Sequence, residues 1–249
     1  METAANRGMP VRLEARIARD RARVREALRL RHRVFAQELG AAAGESSARI
    51  DEDRFDAHCQ HLVVRDVVSD RVVGTYRILS PEAARRAGGY YAQSAFDLSQ
   101  LEVLRDRMVE VGRACVHPDY RSRGVLLLLW SGLVRYLVDN GHDYVMGSAS
   151  VSLADGGHAA ASIYRAASAV HMSPEDLRTR PFARVPLEAL NDQLEVEPPP
   201  LLKGYLDLGA WICGEPALDP GLHCADLPLL LPLARMRGRY ARHFLARAA

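Results

Sequence analysis

Lysine is almost missing from this sequence. Lys203 is the only one, and positive charge is carried by arginine, ten of which fall between Arg7 and Arg33. Cysteine is scarce too: Cys59, Cys115, Cys213 and Cys224 form no C-x-x-C pair and show no metal-ligand spacing to histidine. That pattern argues against a bound metal and for reduced, buried thiols in a cytoplasmic protein. Long apolar runs are lacking as well. The longest, Val125 to Trp130 and Leu229 to Leu231, are far too short to cross a bilayer, and no secretory signal is visible, so any membrane contact is expected to be peripheral. No second composition regime appears, so the 249 residues read as one domain, or one domain with an appendage. The formal net charge is only +2. The arginine bias leaves two readings open: a solvated helix face, or attraction to an acidic carrier protein or an anionic membrane surface. The arm lacks the interleaved aromatics of a nucleic-acid face, so no nucleic-acid partner is expected.

What the chain does have is concentrated in Met108 to Gly141. A β-rich run from Met108 to Val116 leads through a loop, His117 to Arg123, into an apolar helix, and a second strand follows from Tyr144 to Ser148. Leu126, Leu129, Trp130, Leu133, Val134 and Leu137 recur at helical spacing, and Gly141 stands where a left-handed cap would end the helix. Two parallel strands joined by a helix require a right-handed crossover, which places the loop and the helix N-terminus at the carboxyl edge of the sheet, where free N–H groups can hold an anion. Glu110 lies between Val109 and Val111 in the first strand. A carboxylate buried without purpose is uncommon. In an ideal strand Glu110 and Arg113 would face opposite ways, but Gly112 between them can host a bulge that changes the parity.

Elsewhere, residues 1–20 read as a mobile arm, helical after Pro10, followed by a helix from Arg21 to Leu39 with Val24, Leu28, Phe35 and Leu39 on one stripe. Arg31 shares that stripe, so it must either find a partner, such as the acidic cluster Asp51, Glu52, Asp53 and Asp56, or reach solvent past Phe35. His61 to Asp66 and Arg71 to Leu79 read as strands joined at Ser69-Asp70, Pro81 to Gly89 as a short helix or loop, the segment SVSLADGGHAA as loop-like, and His158 to Ala169 as able to form a helix. Glu195 to Pro200 is a linker by composition, and the remainder supplies further strand and helix, including RYARHF at 239 to 244.

Arg121-Ser-Arg-Gly124-Val-Leu126 resembles the acyl-donor loop of the GNAT superfamily of N-acyltransferases, and GRACVHPDYR at 112 to 121 and LLKGYLDLGAW at 201 to 211 resemble the ornithine N-acyltransferases of its hemolysin-like group. The acyl-homoserine lactone synthases supply a second likeness, matched by Arg31 with Phe35, Asp53 with Asp56, Arg77, and Glu110 with Arg113, with Gly112 where that branch has serine. The resemblance implies an α/β fold: a mixed, largely antiparallel twisted sheet flanked by helices, with splayed central parallel strands and a C-terminal extension. It divides the chain into an arm (1–20), an acyltransferase core (21–195) and an extension (196–249) packed on the same domain.

The activity implied is transfer of a (3-hydroxy)fatty acyl group from the phosphopantetheine of acyl carrier protein to the α-amine of ornithine, with no permanently bound cofactor. Glu110 would be the base, and Arg31, Asp53, Asp56, Arg77 and Arg113 a supporting network. Gly112, Ala114, Val116, Arg121, Arg123 and Gly124 would bind the donor. Tyr164 is the nearest match to the tyrosine that protonates the departing thiolate in many relatives; packing at a helix edge is the other reading. YYAQSAFDLS would line the acyl or amine site. Leu222-His223 stands where the ornithine group has Phe-Asn, which leaves the amine open. Two rivals are a homoserine lactone synthase, disfavoured by the long segment after Pro198, and a non-catalytic basic module at the membrane surface.

Overall fold

The computed structural model describes residues 11–38 and 49–238. The strands are β1 (Leu13–Ile17), β2 (Gln60–Asp66), β3 (Arg71–Leu79), β4 (Phe96–Asp97), β5 (Met108–Val116), β6 (Tyr144–Ser152), β7 (Arg180–Pro181), β8 (Trp211–Ile212), β9 (Ala217–Asp219) and β10 (Cys224–Pro232). The helices are α1 (Arg21–His32), α2 (Pro81–Ala87), α3 (Val125–Asp139), α4 (His158–His171) and α5 (Pro200–Leu208). The main sheet runs β1-β2-β3-β5-β6-β10-β8, with β9 against β10, and β4 and β7 pair separately. Every pairing is antiparallel except β5 with β6. This is the mixed, largely antiparallel sheet flanked by helices that the resemblance implied.

The apolar stripe of α3 is buried as its spacing demands, with Val125 in the place expected of Leu126, which is only partly covered. Helices α3, α4 and α5 share one hydrophobic cluster with Leu62, Val64, Val109, Val111 and Val145, the inward set of one sheet face. The opposite face carries α1, which packs with Val63, Val72 and Cys115, and α2, which packs with Leu79, Met108, Met146 and Leu230. Strand alternation thus assigns Glu110, two residues from Met108, to the α1 and α2 side.

Three expectations change. The arm expected over 1–20 contains, in its described part, a strand: Val11, Leu13, Ala15 and Ile17 alternate with polar residues and pack on the core while β1 hydrogen-bonds β2. A period of two outweighs an arginine-rich composition here. The helix expected to reach Leu39 is α-helical only to His32 and continues as a π-helix over Arg33–Glu38; Leu39 lies outside the described residues, as do 1–10 and 239–249. Finally, the strand expected to end at Ser148 runs to Ser152, because β10 pairs with it over its full length.

The β5–β6 ladder is short. Met108, Val109 and Glu110 pair with Tyr144, Val145 and Met146, and beyond that the two strands part. Gly147 stands at the parting, where a Cβ would come 2.8 Å from the Val111 carbonyl oxygen. Backbone cannot yield there as a flexible side chain would, so Gly147→Ala should cost about 1–3 kcal/mol in denaturant unfolding. A variant as stable as wild type would show that the strands separate more freely than this contact implies.

Candidate active site

Where β5 leaves β6, a cavity of about 440 Å³ opens between Val111 to Ala114 on one strand and Ser148 to Ser152 on the other. It reaches Arg77, Glu110 and Tyr91 on the α1 and α2 face, and Leu201 and Leu202 of α5 on the other. The bulge expected at Gly112 falls one residue later. Arg77 pairs with Gly112 and Thr75 with Cys115, so Arg113 and Ala114 together oppose Tyr76. Arg113 takes φ +53°, the left-handed turn of the bulge, which brings its side chain to the face of Glu110 and turns backbone amides out of the ladder.

Glu110 is buried, and both its oxygens accept backbone hydrogen bonds, Oε2 from Tyr91 N–H at 2.6 Å and Oε1 from Ala92 N–H at 2.7 Å. These amides begin the short 3₁₀ turn Tyr91–Ser94. Desolvation raises the Glu110 carboxyl to about 7, against the pull of those two N–H groups and the more distant Arg77. That is the range in which a carboxylate exchanges protons near neutrality.

Behind Glu110 lies an ion network. Arg31 is fully buried, its Nη1 and Nη2 forking onto Asp56 at 2.6 and 3.1 Å while Nε donates to Asp51 at 2.7 Å. Arg77 Nη1 donates to Asp53 at 2.7 Å and lies 3.4 Å from Asp56. Asp53 and Asp56 are tied by the Asp53 N–H, which donates to Asp56 at 2.8 Å. Burial alone would push the Asp56 carboxyl up; the Arg31 hydrogen bonds and charge, with Arg77, bring it below the usual carboxylate range. Burial likewise works against the Arg31 and Arg77 charges, and their aspartates overcome it, leaving both guanidinium pKa values raised. Arg113 stands at the rim, 3.9 Å from both Asp51 and Asp53 and over the rings of Phe35 and Tyr91.

Arg31, Asp53, Asp56, Arg77, Glu110, Gly112, Arg113 and Ala114 are therefore gathered at one place, with Asp51, a member of the acidic cluster that the resemblance left out of the network, completing the set. Val116 sits at the far end of β5, opposite Gly74, and does not line the cavity. Arg121, Arg123 and Gly124 form the approach to α3, with Gly124 at φ +73° and Arg123 over the Tyr120 ring, also outside the cavity lining. Tyr164 is not brought to the cavity: it is half-buried on α4, where burial and Glu215 raise its phenol and Arg178 opposes them. Sequence reasoning passed over Asp219, Cys224 and Asp226, which form the wall opposite Arg113. A signal existed. Asp226 interrupts the apolar run Ala225 to Leu231 much as Glu110 interrupts its own strand.

Because the Arg31 and Asp56 charges are buried together, Arg31→Met should lower stability by about 3–5 kcal/mol. Replacing Asp56 by Leu in the same background should return part of that loss, since the stranded carboxylate is gone. Asp56 has its pKa lowered on folding, so its contribution is present above the unfolded value near 4 and vanishes as pH falls through the folded one. Denaturant unfolding of the cycle checks this, and additive losses would show separate charges.

The comparisons with known proteins agree with this geometry. The family described as Acetyltransferase (GNAT) domain matches residues 30–131, which hold the network, the bulge and the start of α3. The L-ornithine N(alpha)-acyltransferase of Brucella abortus (strain 2308) is 35% identical over 95% of this chain and 90% of its own length. Its counterpart from Rhizobium meliloti (strain 1021) is 34% identical over 97% and 87%. Among solved structures, FeeM, an N-acyl amino acid synthase from uncultured soil microbes, superposes with a TM-score of 0.56 at 14% identity, covering 91% of this chain and 95% of that one. The AHL synthase LasI gives 0.54 at 14% identity, covering 95% and 96%. At such identities these two speak for the fold alone. A cavity at splayed strands, with relatives alike along nearly the whole chain, places this protein in the L-ornithine N(alpha)-acyltransferase family of GNAT acyltransferases.

Proposed function

We propose that the chain moves a (3-hydroxy)fatty acyl group from the phosphopantetheine thioester of acyl carrier protein to the α-amine of L-ornithine, the first step of ornithine lipid synthesis. The observation that carries this is Glu110, buried, near-neutral in pKa, and placed where a passage between β5 and β6 joins the two faces of the sheet. The thioester enters from the α3 and α5 side and the amine from the Glu110 side. The α-amine, entering uncharged, attacks the thioester carbonyl through its nitrogen, and Glu110 takes the proton that the nitrogen sheds as the bond forms. Backbone amides freed at the Arg113 bulge polarise the carbonyl oxygen. The C–N bond forms, the C–S bond breaks, and the proton held on Glu110 is delivered to the departing thiolate. Arg77 and Arg113 hold the site's shape and potential. Among the described residues no helix is long and apolar enough to cross a membrane, so contact with a bilayer, where the product belongs, is peripheral in this reading.

A carrier-bound donor is supported by the α3 approach. Leu126 stands where coenzyme A users close their loop on a diphosphate with Gly or Ala, and it packs partly against the main core, so a smaller anion fits better. Arg121 and Arg123, with the N-terminus of α3, are matched to the single phosphate of phosphopantetheine.

A base must be ionised to act, so the acyl-transfer rate should climb with pH through about 7, where Glu110 titrates, and then level off. Glu110→Gln should remove that limb and slow transfer by roughly 10²- to 10⁴-fold. Some stability should go with it, since one amide of Gln must face a backbone N–H. A flat wild-type profile on both sides of neutrality would take Glu110 out of the chemistry.

For the donor, the apparent KM for acyl carrier protein should rise with salt, and Arg121→Ala or Arg123→Ala should raise it further while changing turnover less. Steady-state kinetics with one acyl chain on both donors tests this; equal, salt-insensitive use of acyl-coenzyme A would count against a carrier protein.

A further inference from the structure

The cavity is electrically lopsided in a way the mechanism does not use. On the β3 and β5 side three aspartates, Asp51, Asp53 and Asp56, are matched by Arg31, Arg77 and Arg113. Across β6 the wall is acidic. Asp226 pairs in register with Ser150, and Asp219 with Cys224, so all four lie on the sheet face that carries Glu110. The ligand atoms of Asp219, Cys224 and Asp226 lie within 4.8 Å of one another. Asp226 Oδ1 accepts from the Ser150 hydroxyl at 2.5 Å, and Asp219 Oδ1 from the N–H groups of Gly221 and Leu222 at 2.8 and 3.0 Å. Among the described residues neither carboxylate has an arginine, lysine or histidine in ion-pair contact. Burial and the neighbouring Asp219 charge hold the Asp226 carboxyl above its ordinary value, against the Ser150 and Cys224 hydrogen bonds and the charge of Arg113.

A second, independent observation lies at the other end. Arg113 lines the cavity, and its Nε is closed off from solvent with no hydrogen-bond partner. The nearest carboxylates, at 3.9 Å, are too distant to accept from it. The Arg113 guanidinium and two carboxylates without a cation thus line one cavity, Arg113 on β5 and Asp226 on β10 with β6 between them.

We infer that Asp226 and Asp219 receive the side-chain ammonium of the acceptor while Arg113 takes its α-carboxylate, so that these three residues set the choice of a basic amino acid. The ligand class is an amino acid with an aliphatic side chain ending in an amine. Held at both ends, it presents its α-nitrogen between them, toward Glu110. The inference rests on the proposed reading that ornithine is the acceptor, and it deepens that reading by naming what recognises it.

The test is a competition. Wild-type chain and the variants Asp226→Asn and Asp219→Asn receive one acyl thioester donor with equimolar L-ornithine and L-norvaline, which keeps the carbon skeleton and lacks the terminal amine. The ratio of the two N-acyl products, read by mass spectrometry, equals the ratio of kcat/KM values and is independent of how much enzyme is active. Wild type should favour ornithine by about a hundredfold, and each variant should reduce that preference about tenfold or more, the loss expected when a half-buried charge partner goes. A variant that merely folds poorly lowers both products together. An unchanged ratio in both variants, or a wild type indifferent between the two acceptors, overturns the inference while leaving N-acylation standing. A wild type that acylates neither amino acid overturns the functional reading as well.

Discussion

The parting of β5 from β6 after Glu110 is the constraint on which the site depends. A parallel pair in the middle of a sheet would ordinarily stay hydrogen-bonded along its length; here three residues on each strand pair and the rest do not. Two features maintain the separation. Gly147 lets β6 pass within reach of the Val111 carbonyl without a side chain between them, and the Arg113 bulge twists β5 away while its other edge stays attached to β3. β6 can give up one neighbour because β10 supplies the other along the whole strand. The result is an opening through the sheet whose rim is backbone, with N–H groups available on both strands and a carboxylate at its closed end.

Electrostatics follows from the same arrangement. Among the described residues three aspartates face Arg31, Arg77 and Arg113, none of which pairs with Glu110, and its direct partners there are two amides of the Tyr91 turn. Amides hold an anion less firmly than a cation does, so desolvation prevails and Glu110 stays on the edge of protonation. Had Arg77 turned from Asp53 to Glu110, the carboxylate would be held lower in pKa and would be a weaker base in the proposed role. The network behind the site therefore acts by occupying the arginines as much as by stiffening the π-helical turn and the Asp51 to Asp56 segment.

Much of this was legible in the chain because the pertinent patterns are local. The strand, loop, helix and strand from Met108 to Ser148 announce themselves by period, the acid at 110 by its apolar neighbours, and the network by the match of Arg31, Asp53, Asp56 and Arg77 to a known constellation. What escaped was of another kind. The partners of Glu110 are backbone amides, which no residue identity specifies, and the exact place of the bulge depends on register with β3. Asp219 and Asp226 meet Arg113 only once β10 has joined β6, a pairing between residues more than seventy positions apart for which the sequence carries only the shared signature of an acid in an apolar run. Tyr164 illustrates the converse: a plausible position along the chain that folding does not bring to the cavity.

The pairing of β10 with β6 also bears on how the chain can be divided. Strand β6 has already lost its β5 neighbour over its second half, from Gly147 to Ser152, so among the described strands β10 alone pairs with it there. Stripped of residues beyond the linker, the protein would present that half as a bare strand with unpaired groups along both margins, the geometry that recruits other chains into a common sheet. The catalytic opening and the resistance to aggregation are thus bound to one another: a sheet that opens in its middle must be closed from its far side by the same polypeptide.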